Sequence, residues 1–442
     1  MTSGSPAKLI FLFTVPLFIG NLFQQLYNMA DTFIVGQTLG VDALAAVGCT
    51  GSLTFLIIGF AQGLCSGFSI VTAQRFGAED APGVRRSFAS ALLLSGVISV
   101  VLTAVSTLCA RKLLTVMQTP PEILDGAAAY LTVVFAGIPA TMLFNALSNT
   151  LRALGDSKTP LYFLVIACLF NIVLDYVLIL YTPLGVAGAG VATVAAQLLS
   201  GLACLWYIFR RFPMLMLTRE DWRLSARELR AHLSLGLPIG FQSSIIAIGS
   251  VMLQFALNGL GSVSVAAYTA ASKIESLGSL PLMSIGVATG TYVAQNYGAG
   301  QTARIRTGVL QAGLMAVVFS AAVGAGFLLF GAQLSRLFVG SQPEAVDLAA
   351  IYLRVSGCSL WVLGLLFVFR YTLQGLGQAF VPTFAGVMEL IMRSAGSLIL
   401  IAPLGFTGAC LANISAWVGS AVPLTIAFFL TMRRLAYTGR CR

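Results

Sequence analysis

The hexapeptide Ala73-Gln74-Arg75-Phe76-Gly77-Ala78 closes an apolar stretch over residues 50–74 and returns later in the chain as Ala294-Gln295-Asn296-Tyr297-Gly298-Ala299. Working outward, Leu39-Gly40 with Ala45-Ala46 is matched by Leu260-Gly261 with Ala266-Ala267, and Pro121-Glu122 with Tyr130-Leu131 by Pro343-Glu344 with Tyr352-Leu353. Pro183-Leu184-Gly185 with Gly188-Ala189 recurs as Pro403-Leu404-Gly405 with Gly408-Ala409. Every match keeps a shift of about 220 to 222 residues, so the second half of the chain repeats the first in order.

Between these marks lie apolar runs of the length an α-helix needs to cross the roughly 30 Å of a bilayer's hydrocarbon. With 58% hydrophobic and only 9% charged residues and a mean hydropathy of +0.92, the chain belongs in lipid. Strand-like alternation is absent, which excludes a β-barrel. The pattern predicts an all-α polytopic membrane protein with twelve spans, near 9–36, 50–74, 88–110, 127–150, 160–181, 187–209, 234–258, 265–294, 308–330, 348–372, 382–402 and 408–431. Six spans per repeat give two homologous lobes, 1–209 and 234–442, joined by an arginine-rich linker over 210–233. Such parallel repeats suit alternating access around a central cleft. The first run has no small-residue cleavage site and is read as a retained helix, not a signal peptide.

Basic residues orient the chain. The linker's Arg210, Arg211, Arg219, Arg223, Arg227 and Arg230 and the terminal Arg433, Arg434, Arg440 and Arg442 fall on one side, against only Arg111, Lys112 and Arg336 in the opposite loops. The positive-inside rule then puts both termini in the cytoplasm, and the net charge of +10 needs no nucleic acid. The eight cysteines, including Cys358 and Cys441, lack metal or disulfide spacing and read as inert buried thiols. The lone His232 lies among linker charges and reads as a solvated surface residue. No metal site or cofactor is expected.

Charges inside a bilayer are costly and point to function. The first lobe holds Asp31 and Asp175 with no Lys or Arg at their depth. Asp175 lies nine residues before Leu184 at the outer turn, Thr193 nine after it, and Asp31 nine before Gly40, so all three sit about 13 Å below their outer turns. Asn171 is one turn from Asp175 on the same face. Two carboxylates, an amide and a hydroxyl form an oxygen-rich cluster that could hold Na⁺ or share a proton. In the second lobe Arg393 takes the repeat position of Asn171 and Ser397 that of Asp175. Glu389 and Arg393 at i, i+4, and Lys273 with Glu275, read as self-neutralised pairs with a structural or gating role. The coupling site is therefore expected in the first lobe alone. Pro16 should bend the first helix and transmit the charge state of Asp31 into helix shape, whereas Pro238 near a helix start reads as passive. Gln24, Tyr27, Asn28 and Met252 are candidates for lining a substrate path.

The segments NLFQQLYNMADTFIVG (21–36), LGVDALAAVG (39–48), TLRALGDSKTP (150–160) and GTYVAQNYGAG (290–300) resemble those of the multidrug and toxic compound extrusion (MATE) transporters of the flippase-like superfamily, in its bacterial MepA-like or DinF-like members. The resemblance spans essentially the whole chain. It implies a cation site on Asp31, Asn171, Asp175 and Thr193, a functional helix-1 proline at Pro16, and export of organic, often cationic or amphipathic compounds in exchange for inward H⁺ or Na⁺ in the bacterial inner membrane. Two lobes in one chain can form a complete transport unit as a monomer. The second-lobe acidic residues of other branches have no match here. A flippase or exporter of a lipid-linked glycan or small metabolite is the alternative. An enzyme would need a nucleophile, metal ligands or an Asp-Asp motif that the chain lacks, and a channel would need a ring of identical filter elements.

Overall fold

The computed structural model describes residues 1–223, 225–340 and 342–438; Arg440, Cys441 and Arg442 lie outside the described residues. Among the described residues thirteen α-helices follow one another: α1 Pro6–Leu39, α2 Val41–Gly77, α3 Ala81–Val116, α4 Pro121–Ala136, α5 Ile138–Ala153, α6 Lys158–Tyr181, α7 Val186–Arg211, α8 Ala226–Asn258, α9 Ser262–Gly298, α10 Thr302–Val339, α11 Pro343–Gly375, α12 Phe380–Leu404 and α13 Phe406–Thr438. Eleven are long and apolar enough to span a membrane, and α4 with α5 makes the twelfth as a pair bent by 44°. The expected single span over 127–150 is thus broken. Pro139 has no N–H for the preceding turn and its ring crowds that turn's carbonyl, while a Cβ at Gly137 would run into Val194 of α7. The repeat counterpart α11, with Trp361 at the position of Pro139, stays continuous. α1 continues as helix through Pro16, which leaves the carbonyl of Leu12 without its helical donor.

Two compact units form, one from Met1–Phe18 with the chain from Ile245 onward, the other from Ile19–Ser244. They depart from lobes bounded at 209 and 234, because the chain changes unit inside α1 and again inside α8. Residues at the start of α1 explain the first departure: Ile10, Phe13 and Leu17 are buried in one core with Leu282, Ile285 and Tyr292 of α9. The second is explained by α2, where Gly63 and Gly67 admit the backbone of α8 at Gly236 and Gly240. Around this seam Arg75 holds both oxygens of Glu228 at 2.8 Å, and the buried His232 places Nε2 3.0 Å from Ser87 Oγ and Nδ1 2.9 Å from the Glu228 carbonyl. His232 is therefore a core residue and not a surface one: its neighbours Arg227 and Arg230 face outward while the helix turns the imidazole onto α3. The linker shortens accordingly to 212–225. There the Thr218 N–H and hydroxyl, with Arg85 and Arg86, hold the Asp221 carboxyl below its ordinary range.

A Cβ on Gly67 would lie 2.5 Å from Gly236 Cα and 2.7 Å from its nitrogen, atoms that can move only with the helix. Gly67→Val should cost about 1–3 kcal/mol through overpacking, read as a lowered melting temperature in detergent. Gly51→Ala, with nothing within 4 Å of its Cβ, should leave it unchanged or slightly raised.

Of the seven described cysteines, all free, only Cys358 is exposed, so buried-thiol chemistry does not apply to it.

Candidate functional site

Asp31 on α1 and Asp175 on α6 are buried, and their side chains come within hydrogen-bonding reach of each other. Oδ1 of Asp31 and both carboxylate oxygens of Asp175 have no donor, and no Lys or Arg forms an ion pair with either among the described residues. As two carboxylates they are acceptors only and cannot satisfy one another. A single proton between them converts the contact into a charge-assisted O–H···O⁻ bond. One turn before Asp175, the fully buried Asn171 leaves its amide nitrogen and oxygen unpartnered. Five buried polar atoms on three residues thus lack partners, in a protein interior where most are paired.

Thr193 on α7, the hydroxyl expected in this cluster, already has two partners. Its hydroxyl donates to the Ala189 carbonyl at 3.0 Å and accepts from Tyr27 Oη at 2.9 Å. Tyr27, one turn before Asp31, thereby belongs to this cluster, and both it and Tyr130 of α4 lie close enough to interact electrostatically with the two carboxylates. Tyr130 escaped the sequence reading as a site residue although its repeat match with Tyr352 marked it. Gln24 is half-buried and Asn28 exposed on α1, and Met252 is exposed on α8 in the other unit. The hard oxygens of Asp31, Asp175, Asn171 and Thr193 suit either a proton or an alkali cation.

The second unit holds a different cluster. Glu389 on α12 accepts from Arg393 Nη2 at 3.1 Å, as its spacing predicts, and also from Arg370 Nη2 of α11 at 2.9 Å. Arg370 was not anticipated, because no spacing in sequence links α11 to α12. Lys273 and Glu275 do not pair. Two residues apart on a helix, they point about 200° from one another, and Lys273 is exposed while Glu275 is buried. Glu275 accepts a hydrogen bond from Tyr352 Oη, which in turn accepts from Asn413 Nδ2 at 3.1 Å; the ring of Tyr268 packs edge-on against Tyr352. Tyr352 and Asn413 occupy the repeat positions of Tyr130 and Thr193.

Comparison with known proteins agrees with this architecture. The MatE family model matches twice, over residues 16–177 and 238–398, each match opening on a helix proline, Pro16 or Pro238. The protein named "Probable multidrug resistance protein YpnP" of Bacillus subtilis is 29% identical over 95% of this chain and 90% of its own. The "FAD transporter" of Shewanella oneidensis is 23% identical over 96% and 93%. Among solved structures, a MATE transporter in a bent conformation superposes with a TM-score of 0.91 at 27% identity, covering 99% of this chain and 98% of that one. A MOP superfamily transporter of Pyrococcus furiosus gives 0.90 at 28%, covering 98% and 96%. With two copies of the family's helical repeat filling most of its length, the chain belongs to the MatE family of multidrug and toxic compound extrusion transporters.

Proposed function

We propose that this transporter is a secondary active antiporter that exports organic, cationic or amphipathic compounds in exchange for inward H⁺ or Na⁺. The observation that carries the reading is the pair of buried, mutually facing carboxylates Asp31 and Asp175 without a basic partner. Two bare anions in that position are disfavoured, and a proton or alkali cation relieves them. The positive-inside pattern supports a bacterial inner-membrane location with cytoplasmic termini, and two lobes in one chain support function as a monomer. Flippase or single-metabolite export is the second reading; the likeness to a protein named as an FAD transporter favours it. The test is efflux of a fluorescent organic cation from proteoliposomes under a proton or a sodium gradient imposed separately. One gradient driving export supports the antiporter and names its ion. Equal movement with no gradient sinks it.

Pro16 lies two residues before α1 passes from one compact unit to the other, and Asp31 lies beyond that passage. MATE relatives have been solved in bent and in straight conformations, at TM-scores of 0.91 and 0.89 to this chain. A helix weakened at Pro16 is the natural place for such a change. Pro16→Ala restores the missing backbone bond, so the variant should melt higher while its gradient-driven efflux falls severalfold. Wild-type efflux in the stabilised variant would show that the proline is passive.

A further inference from the structure

Glu389 is shared. Its Oε1 is taken by Arg393 and its Oε2 by Arg370, so one carboxylate serves two guanidiniums. The other buried acid of this unit, Glu275, has Tyr352 as its hydrogen-bond partner and forms no ion pair with either arginine. The side chains of Arg370 and Arg393 are only 7% and 6% exposed, yet Nε of each lacks an acceptor. Arg370 spends its remaining reach on Ser420 Oγ at 3.1 Å. Arg393 extends Nη1 to Ser250 Oγ at 3.4 Å, and Ser250, with its neighbours Val251 and Met252, is on the exposed side of α8. A guanidinium fork with unused donors thus lies directly beneath an open part of its own unit's surface. Its chemistry matches a planar or tetrahedral oxyanion, which accepts two parallel N–H bonds where a neutral or cationic group accepts none or one.

The repeat sharpens the contrast. The skeletal positions that carry Asn171 and Asp175 in the first half carry Arg393 and Ser397 in the second. The acidic position of the first half is a serine in the second, and its neighbouring amide position is an arginine, so the same two turns carry an acid in one unit and a base in the other.

We infer that Arg393, backed by Arg370, binds an anionic group, a carboxylate or phosphate, on the exported compound. The inference rests on the export reading and narrows it to amphipathic cargo with an acidic end. Purified full-length protein in lipid nanodiscs is titrated against rhodamine B, which carries a free carboxylate, and against its ethyl ester, with binding read by fluorescence anisotropy. The carboxylate dye should bind wild type about tenfold more tightly than the ester. Arg393→Gln should erase that ratio while leaving ester binding in place, and Arg393→Lys should keep part of it. Ser250→Asp, which retains both arginines and offers Arg393 an internal carboxylate, should also erase it, so a misfolded Arg393→Gln does not end the test. Equal binding of the two dyes to wild type, no saturable binding of the carboxylate dye, or a ratio that survives both Arg393→Gln and Ser250→Asp overturns the assignment. Gradient-driven efflux of the ester reports on the antiport reading separately, since it can persist without any carboxylate preference or fail while the preference stands.

Discussion

Asp175→Asn should leave export in proteoliposomes indifferent to the imposed ion gradient while the protein melts at the wild-type temperature or above it. The two halves of that expectation come from the same atoms. Both Asp175 oxygens are buried without donors and face Asp31, so the native side chain carries an uncompensated desolvation cost, of order 1–3 kcal/mol for each such group. An amide of the same shape removes the anion and can donate to Asp31, which lowers that cost and removes the carboxylate proposed to respond to the ion. A site kept at the expense of stability is the mark of function. Asp31→Asn should behave likewise. Thr193→Ala should weaken coupling less, because its hydroxyl is already engaged by Tyr27 and the Ala189 carbonyl. The decisive measurement is the ratio of efflux with and without the gradient, taken beside a melting curve. A variant that stays coupled, or that loses coupling only by melting several degrees lower, would return the two aspartates to a structural role.

The opposite sign is expected at Glu389. Removing it by Glu389→Ala strands Arg370 and Arg393, whose side chains are almost wholly buried, and breaking such a cluster costs about 3–5 kcal/mol. The variant should therefore melt far below wild type or fail to accumulate in the membrane. Arg393→Gln should be much milder, since Glu389 keeps Arg370 at 2.9 Å, and Lys273→Ala, at an exposed position, should be silent. A melting temperature for Glu389→Ala close to that of Lys273→Ala would mean that the arginines find other acceptors.

The twelve spans and the repeat are readable from the chain because they are one-dimensional properties: run length, punctuation and offset. Depth is nearly so. Counting residues from outer turns puts Asp31 and Asp175 at one level, and the side chains do meet. Lateral partnership is another matter. That Arg370 would reach Glu389 across from α11, or that Tyr27 would occupy Thr193, depends on how helices rotate against each other, and hydropathy carries no record of it. His232 misleads because its neighbours in sequence are charged while its neighbours in space are Phe68, Ser87 and the end of α2. Pro139 stands in the chain, yet 127–150 reads as one unbroken span. Its effect becomes plain only beside α11, which lacks a proline there.

The crossing of the chain between units within α1 and α8 has a consequence for assembly. Each homologous half lends the start of its opening helix to the unit built mainly from the other half. A protein made of one half alone would therefore have an unfilled berth where that segment belongs and a loose segment with no berth of its own. Two identical copies solve both problems by exchanging arms. Holding both halves in one covalent chain makes that exchange of arms intramolecular, so it is complete at any protein concentration.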